Sequence, residues 1–149
     1  MKPGTFLKST PLLADTVFEN SIIFIVEVND KGAMGYIINK KYHRALNELE
    51  EFKHVRSFPL YVGGPVDQEH LFFIHKRPDL ITGGTPIADG VLLGGNFKEA
   101  VTHINNNLLT GKDVTIFLGY CGWDRGELEA EIAEGSWEII GKETPFQEN

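Results

Sequence analysis

The run Ser21 to Val28, Ser-Ile-Ile-Phe-Ile-Val-Glu-Val, passes directly into Asn29-Asp30-Lys31-Gly32 and then into Ala33 to Asn39. β-Branched and aromatic side chains in an unbroken row suit a pleated, buried surface. The four residues between the runs reverse the chain, and Gly32 suits the position that needs positive φ. The segment is therefore a β-hairpin, and an apolar hairpin is stable only as part of a larger sheet with a core to cover it. Gly35 in the return strand predicts a close approach by a neighbouring backbone or ring. Asn39 closes that strand.

The other elements are short and separated by turns. Sixteen glycines in 149 residues exceed the background of roughly 7%. Gly4 to Lys8 reads as a strand opening into Pro11, and Thr16 to Glu19 as one helical turn at most. Leu46, Leu49 and Phe52 place a short amphipathic helix over Ala45 to Lys53. Pro59 to Val62 is a strand ended by Gly63-Gly64-Pro65. His70 to His75 is another, stopped near Pro78. Thr82 to Pro86 reads as a loop, and Gly90 to Leu93 as extended chain closing at Gly94-Gly95. Asn96 and Glu99 have capping-box spacing and open a helix to about Leu108. Asp113 to Leu118 has the character of a central strand. Asp124 and Glu127 form a second capping box, with a helix running to about Glu134. Ser136 to Ile140 is a last strand, and 141–149 a polar, frayed tail. No repeat or linker divides the chain, so 1–149 is a single domain. Many strands, about three helices and mixed connections give an α+β class.

Apolar residues at 42% and charged residues at 23% exclude disorder over most of the length. The charge is unevenly placed. Residues 1–77 hold 10 Lys/Arg against 9 Asp/Glu, and 78–149 hold 4 against 12, so +1 and −8 make the total of −7. The acidic half argues against direct nucleic-acid binding, which needs a basic face. Lys40, Lys41 and Arg44 read as solvated surface. Cys121, the single cysteine, can form no intramolecular disulfide. The N-terminus has no apolar h-region. The longest apolar stretch, Ile22 to Val28, falls far short of the ~20 residues of a membrane span. A cytoplasmic protein with no membrane association is expected.

Few residues carry chemistry. Gly94-Gly95-Asn96 joins a strand to a helix start but matches no phosphate-loop pattern, so it reads as a tight turn. Gly119-Tyr120-Cys121-Gly122-Trp123 has the strand-to-helix context of a nucleophile elbow, with Trp123 where the last glycine would stand. A helix start can activate a thiol, so a cysteine-dependent hydrolase or transferase using Cys121 is one reading. Its base would be one of five histidines, and spacing selects none. The other reading is a small buried cysteine behind a glycine turn. His70 and His75 are an odd number of residues apart on one strand, so they face opposite ways and cannot share a metal. No cluster has ligand spacing, and neither a metal nor a cofactor is expected. Glu127, Glu131 and Glu134 share a helix face, which is either solvated or a dock for a basic partner. Glu127 and Glu129 point apart on that helix and make no catalytic dyad. As binding candidates we take Tyr120, Trp123, Asp124, Arg125 and Glu129. The aromatics pair an apolar body with a polar tip, and Arg125 offers a donor fork for carboxylate or phosphate. Alternatively Trp123 is a core aromatic, Asp124 and Glu127 are a cap, and Arg125 is an exposed charge.

These segments resemble one family. Gly4-Thr5-Phe6-Leu7, Pro11, Asp15 and Phe18-Glu19-Asn20-Ser21 resemble the opening of the YqgE/AlgH family. Gly32 to Lys40, Tyr61 to Val66 and Leu71 to His75 follow in its order. Gly119-Tyr120-Cys121-Gly122-Trp123-Asp124-Arg125-Gly126-Glu127-Leu128-Glu129, with Glu131 and Trp137, resembles its C-terminal signature. Cys121 stands where that family often has a small residue such as Ala, which argues against a family nucleophile. Glu127 stands where Gln is frequent. The resemblance implies a bacterial cytosolic protein with a mixed, mostly antiparallel and partly barrel-like sheet flanked by helices. It implies no established reaction. Some members carry a transcriptional-regulator label, yet this chain shows no helix-turn-helix with a basic recognition helix. The expectation is a non-enzymatic binding or regulatory module acting through a protein or small-molecule partner.

Overall fold

The computed structural model describes residues 1–147. Ten strands and two α-helices follow one another along the chain: β1 (Phe6–Ser9), β2 (Ile22–Asn29), β3 (Gly32–Ile37), β4 (Lys41–Ala45), β5 (Pro59–Val62), β6 (Val66–His75), β7 (Thr85–Ala88), β8 (Val91–Leu93), α1 (Phe97–Asn105), β9 (Val114–Asp124), α2 (Glu127–Ala133) and β10 (Trp137–Ile140). Hydrogen bonds join the strands in the order β10-β1-β2-β3-β9-β6-β8-β7, and β5 pairs with both β9 and β4. All pairings are antiparallel except β5 with β9. The sheet is open. Its two halves fold over a common core and meet along β9, without closing into a barrel.

Strand alternation sorts the side chains into three apolar layers. Phe6, Phe24 and Tyr36 from one half meet Ile74, Val91 and Phe117 from the other. Tyr36 and Phe117 stack here with centroids 4.4 Å apart and planes 3° from parallel. The alternate residues Leu7, Ile23, Ile25 and Ile37 face outward and are covered by α2 through Leu128 and by Trp137 of β10. On the far side Phe73, Ile116 and Leu60 pack against Ala100 and Ile104 of α1.

The hairpin forms as the residues predict. Asn39 Oδ1 accepts from Ile22 N–H at 2.9 Å, and its Nδ2 donates to the Asn20 carbonyl at 2.8 Å, which fixes the strand end. A Cβ on Gly35 would lie 2.7 Å from the Phe24 carbonyl oxygen, so β2 approaches closely only because no side chain is there.

Several segments differ from the sequence expectation, among them β4, where no strand was expected, and β6, which starts at Val66 and not at His70. A helix over Ala45 to Lys53 is replaced by two 3₁₀ turns, Leu46–Glu48 and Glu50–Phe52, interrupted by an extended Leu49. The spacing of three between Leu46, Leu49 and Phe52 is the 3₁₀ period, and the flanks consist of two helices instead of three. Thr85–Ala88, placed in and just after a loop, is an edge strand. The strand starting at Val114 does not end at Leu118 but continues to Asp124. The tail, expected to fray from Gly141, is docked through Pro145 to Gln147. The Pro145 carbonyl accepts from Thr115 Oγ1 at 2.6 Å, Gln147 N–H donates to the Gly111 carbonyl at 2.9 Å, and Phe146 is buried in the central layer. Residues 148 and 149 lie outside the described part.

Candidate functional site

β9 is where the two halves of the sheet meet. Ile116 to Leu118 run between β5 and β6, while Cys121 to Asp124 pair with β3. Gly119, with φ +74, makes the transfer, and a Cβ there would stand 2.4 Å from the Gly64 carbonyl oxygen. A glycine inside a strand marks this kind of bulge and close approach. The Gly119 to Trp123 segment is therefore a continuous strand, not a strand-to-helix elbow.

Cys121 sits in mid-strand, 1% exposed, in the layer under α2. Its Sγ donates to the Gly63 carbonyl at 3.4 Å, an oxygen that also accepts from Ile37 N–H at 2.8 Å. Burial pushes the thiol pKa up to about 12, the opposite of what an activated nucleophile needs.

Trp123 is buried on the same face as Cys121. Its Nε1 donates to Glu131 Oε1 at 3.1 Å, and Trp137 Nε1 donates to the same oxygen at 3.0 Å. The two indoles meet edge to face at 6.1 Å. A single carboxylate of α2 thus fastens two strands of one sheet half. Tyr120 points the other way, towards the central layer, and meets Phe72 edge to face at 5.5 Å. Asp124 ends β9 and its N–H donates to Glu127 Oε1 at 3.2 Å. Only the glutamate half of that predicted box forms, because Gly126, at φ +79, precedes the helix in place of Asp124. Arg125 and Glu129 are exposed, and Arg125 makes no ion pair among the described residues. The five candidate residues thus divide between two layers and the surface. Asp124, Arg125 and Glu129 are near one another in sequence at the strand end, whereas Tyr120 and Trp123 lie on opposite faces of β9.

The acidic stripe on α2 is used locally. Glu127 and Glu131 act as described, and Glu134 Oε1 accepts from Ser136 Oγ at 3.1 Å. At the other helix, Asn96 Oδ1 accepts from Glu99 N–H at 3.0 Å, as a cap should. Glu99 does not reach back to Asn96. It accepts instead from Thr82 N–H at 2.9 Å and Thr82 Oγ1 at 2.8 Å, which pins the loop before β7 to α1. Both ring nitrogens of the buried His75 have backbone partners, with Nε2 3.1 Å from the Gly94 carbonyl and Nδ1 accepting from Arg77 N–H at 3.1 Å. That pattern requires the neutral ring with its proton on Nε2, and burial holds the pKa below the ordinary value. No group of three metal-ligating side chains occurs among the described residues, and no helix among them is long and apolar enough to cross a membrane.

A wide concavity lies elsewhere. Between the 3₁₀ turns, β6 and the start of α1 there is a groove of about 530 Å³ bordered by Leu49, Phe52, Leu71, Phe97 and Leu118. The sequence signal for it was present but divided: these apolar residues come from four separate segments, each of which reads as ordinary core.

A sequence profile described as AlgH-like matches residues 6–146, from the first residue of β1 to the buried phenylalanine of the tail. The chain belongs to the AlgH-like family. A UPF0301 protein of Bacteroides thetaiotaomicron is 35% identical over 147 residues, covering 98% of this chain and 74% of that one. A UPF0301 protein of Bacteroides fragilis is 39% identical over 142 residues, covering 94% and 71%. The solution structure of the AlgH protein from Pseudomonas aeruginosa superposes with a TM-score of 0.73 at 26% identity, over 96% of this chain and 78% of that one. A crystal structure from Corynebacterium diphtheriae shares the fold at a TM-score of 0.78 and 21% identity, over 97% and 78%. The AlgH-like assignment thus covers the open α+β sheet, both helices and the docked tail.

Proposed function

We propose that this AlgH-like chain is a non-enzymatic binding or regulatory module of the bacterial cytoplasm, acting through a protein or small-molecule partner. Any effect on transcription passes through that partner and not through direct DNA contact. The observation that carries the reading is the fate of the side chains capable of chemistry. Cys121, His75 and Glu131 are each tied into the frame by internal hydrogen bonds. The exposed Asp124, Arg125 and Glu129, at the junction of β9 and α2, are the polar contact group of the proposed binding segment, with Tyr120 and Trp123 holding the strand behind them.

Affinity purification from the native cell, with mass spectrometry of what is recovered, tests this. A reproducible partner is expected, together with no turnover by the purified chain across a broad hydrolase panel. Arg125→Ala should leave the melting temperature unchanged and lose the partner. Turnover that disappears in Cys121→Ala would overturn the reading and establish the cysteine enzyme instead. Recovery of the same partners by Arg125→Ala would remove this segment from the binding site.

A further inference from the structure

The groove outside the second sheet half has a composition that specifies an occupant. Its floor is made of large apolar side chains left half-buried after the core beneath them is filled. Phe97 is held in place from two sides, with centroids 5.7 Å from Phe52 and 5.3 Å from Phe73. The floor is therefore a fixed apolar surface at the side of α1. Its volume of about 530 Å³ falls within the range of roughly 300–1,000 Å³ that binding clefts occupy.

The rim is acidic. Glu50, Glu51 and Glu69 border the groove. Glu51 and Glu69 have no ion-pair partner among the described residues, and Glu50 has only an exposed contact to Lys53 at 3.1 Å. Such a pair contributes little and is readily exchanged. The one titratable base on the rim, His70, is bonded to Asp67 across the irregular start of β6, so its charge is answered before it reaches the groove. An apolar floor inside an acidic border repels phosphate backbones and acidic peptides, and it leaves a neutral lipid with no use for the border.

We propose that this groove docks a short segment of a partner protein in which one or two large apolar side chains are flanked by Lys or Arg. The proposal rests on the binding-module reading and adds to it a second contact surface, separate from the Asp124, Arg125 and Glu129 group. The two fail separately, because a partner could be recovered from cells through another surface.

The test uses the full chain, isotope-labelled for amide shifts, and three blocked twelve-residue peptides. The first has Leu and Phe at its centre with Lys and Arg on both sides. The second replaces every basic residue by Glu, and the third replaces Leu and Phe by Ser. The first peptide should shift the amides of Leu49, Phe52, Leu71, Phe97 and Leu118 saturably, and the other two should not. The double variant Glu51→Lys/Glu69→Lys, both exposed positions, should keep its circular dichroism and weaken the first peptide by about tenfold. Unshifted groove amides at millimolar peptide, equal binding of the acidic peptide, or undiminished binding by the double variant would each overturn the proposal. So would sedimentation showing that the groove is filled by a second copy of the chain, released by the same substitutions.

Discussion

One oxygen atom of Glu131 serves two tryptophans, and removing it has a calculable effect. Glu131→Ala leaves both indole N–H groups buried without an acceptor, each costing about 1–3 kcal/mol. A destabilisation of about 2–6 kcal/mol in urea unfolding is expected, with Glu131→Gln intermediate because its amide oxygen can still accept. Equal stability of Glu131→Ala and wild type would show that the indoles find water. Cys121 makes a second residue-level prediction through pH. Its folded pKa is raised from 9.0 to about 12. Above pH 9 the unfolded chain releases a thiol proton that the folded chain retains, so stability falls as pH rises between those values. The phenol of Tyr36, also raised by burial, acts in the same direction from pH 10 upward. Between pH 8 and pH 10 the wild type should lose on the order of 1 kcal/mol more than Cys121→Ala in parallel urea titrations. Parallel curves for the two proteins would mean that the thiol ionises freely.

Glycines decide how the elements approach. A Cβ on Gly64 would fall 2.2 Å from the Tyr120 carbonyl, fixed backbone on both sides, whereas one on Gly90 meets nothing within 4 Å. Gly64→Ala should cost at least about 3 kcal/mol and Gly35→Val about 1–3 kcal/mol by overpacking. Gly90→Ala should cost only the about 1–2 kcal/mol of its left-handed backbone. Thermal melts in which Gly64→Ala is not the most destabilised of the three would contradict the close crossing of the β5–β6 turn over β9. The hairpin, the Asn96 cap and the α+β class were legible in the sequence because each rests on neighbours in the chain: alternation, turn chemistry, capping. The extension of β9 past Leu118 was not, since Gly119 and Gly122 look like turn residues until a second backbone is laid against them. The docked tail was hidden for the same reason. Lys142, Glu143 and Thr144 read as solvent-exposed, and only Phe146 reports the docking, since it packs in the central layer with Ile74 of β6 and lies under the Lys76 ammonium, about seventy residues away in sequence. For the candidate site, local spacing identified Tyr120 to Glu129 as a junction but could not divide its aromatics between two faces. The groove at Phe97 draws on segments too far apart for any window to join.

For the whole molecule, charge bears on what it can approach. The net −8 of residues 78–149 is unfavourable towards a phosphate backbone, so no direct duplex binding is expected. Mobility shifts with promoter fragments at physiological salt should show no sequence-specific complex, and a salt-dependent sub-micromolar shift would contradict this. The shared position of β9 also governs when the fold can exist at all. Its partners, β3, β5 and β6, are all synthesised earlier, within residues 32–75, yet no strand pairing joins the two halves without residues 114–124. On a ribosome the hairpin can form early, but its apolar faces stay uncovered until the last quarter of the chain emerges. Assembly is then a late, long-range event, slow by contact order. Through most of its synthesis the nascent chain displays the outer edge of β3, Gly32 to Ile37, without its β9 partner, which is the interval in which a chaperone or an aggregate would meet it.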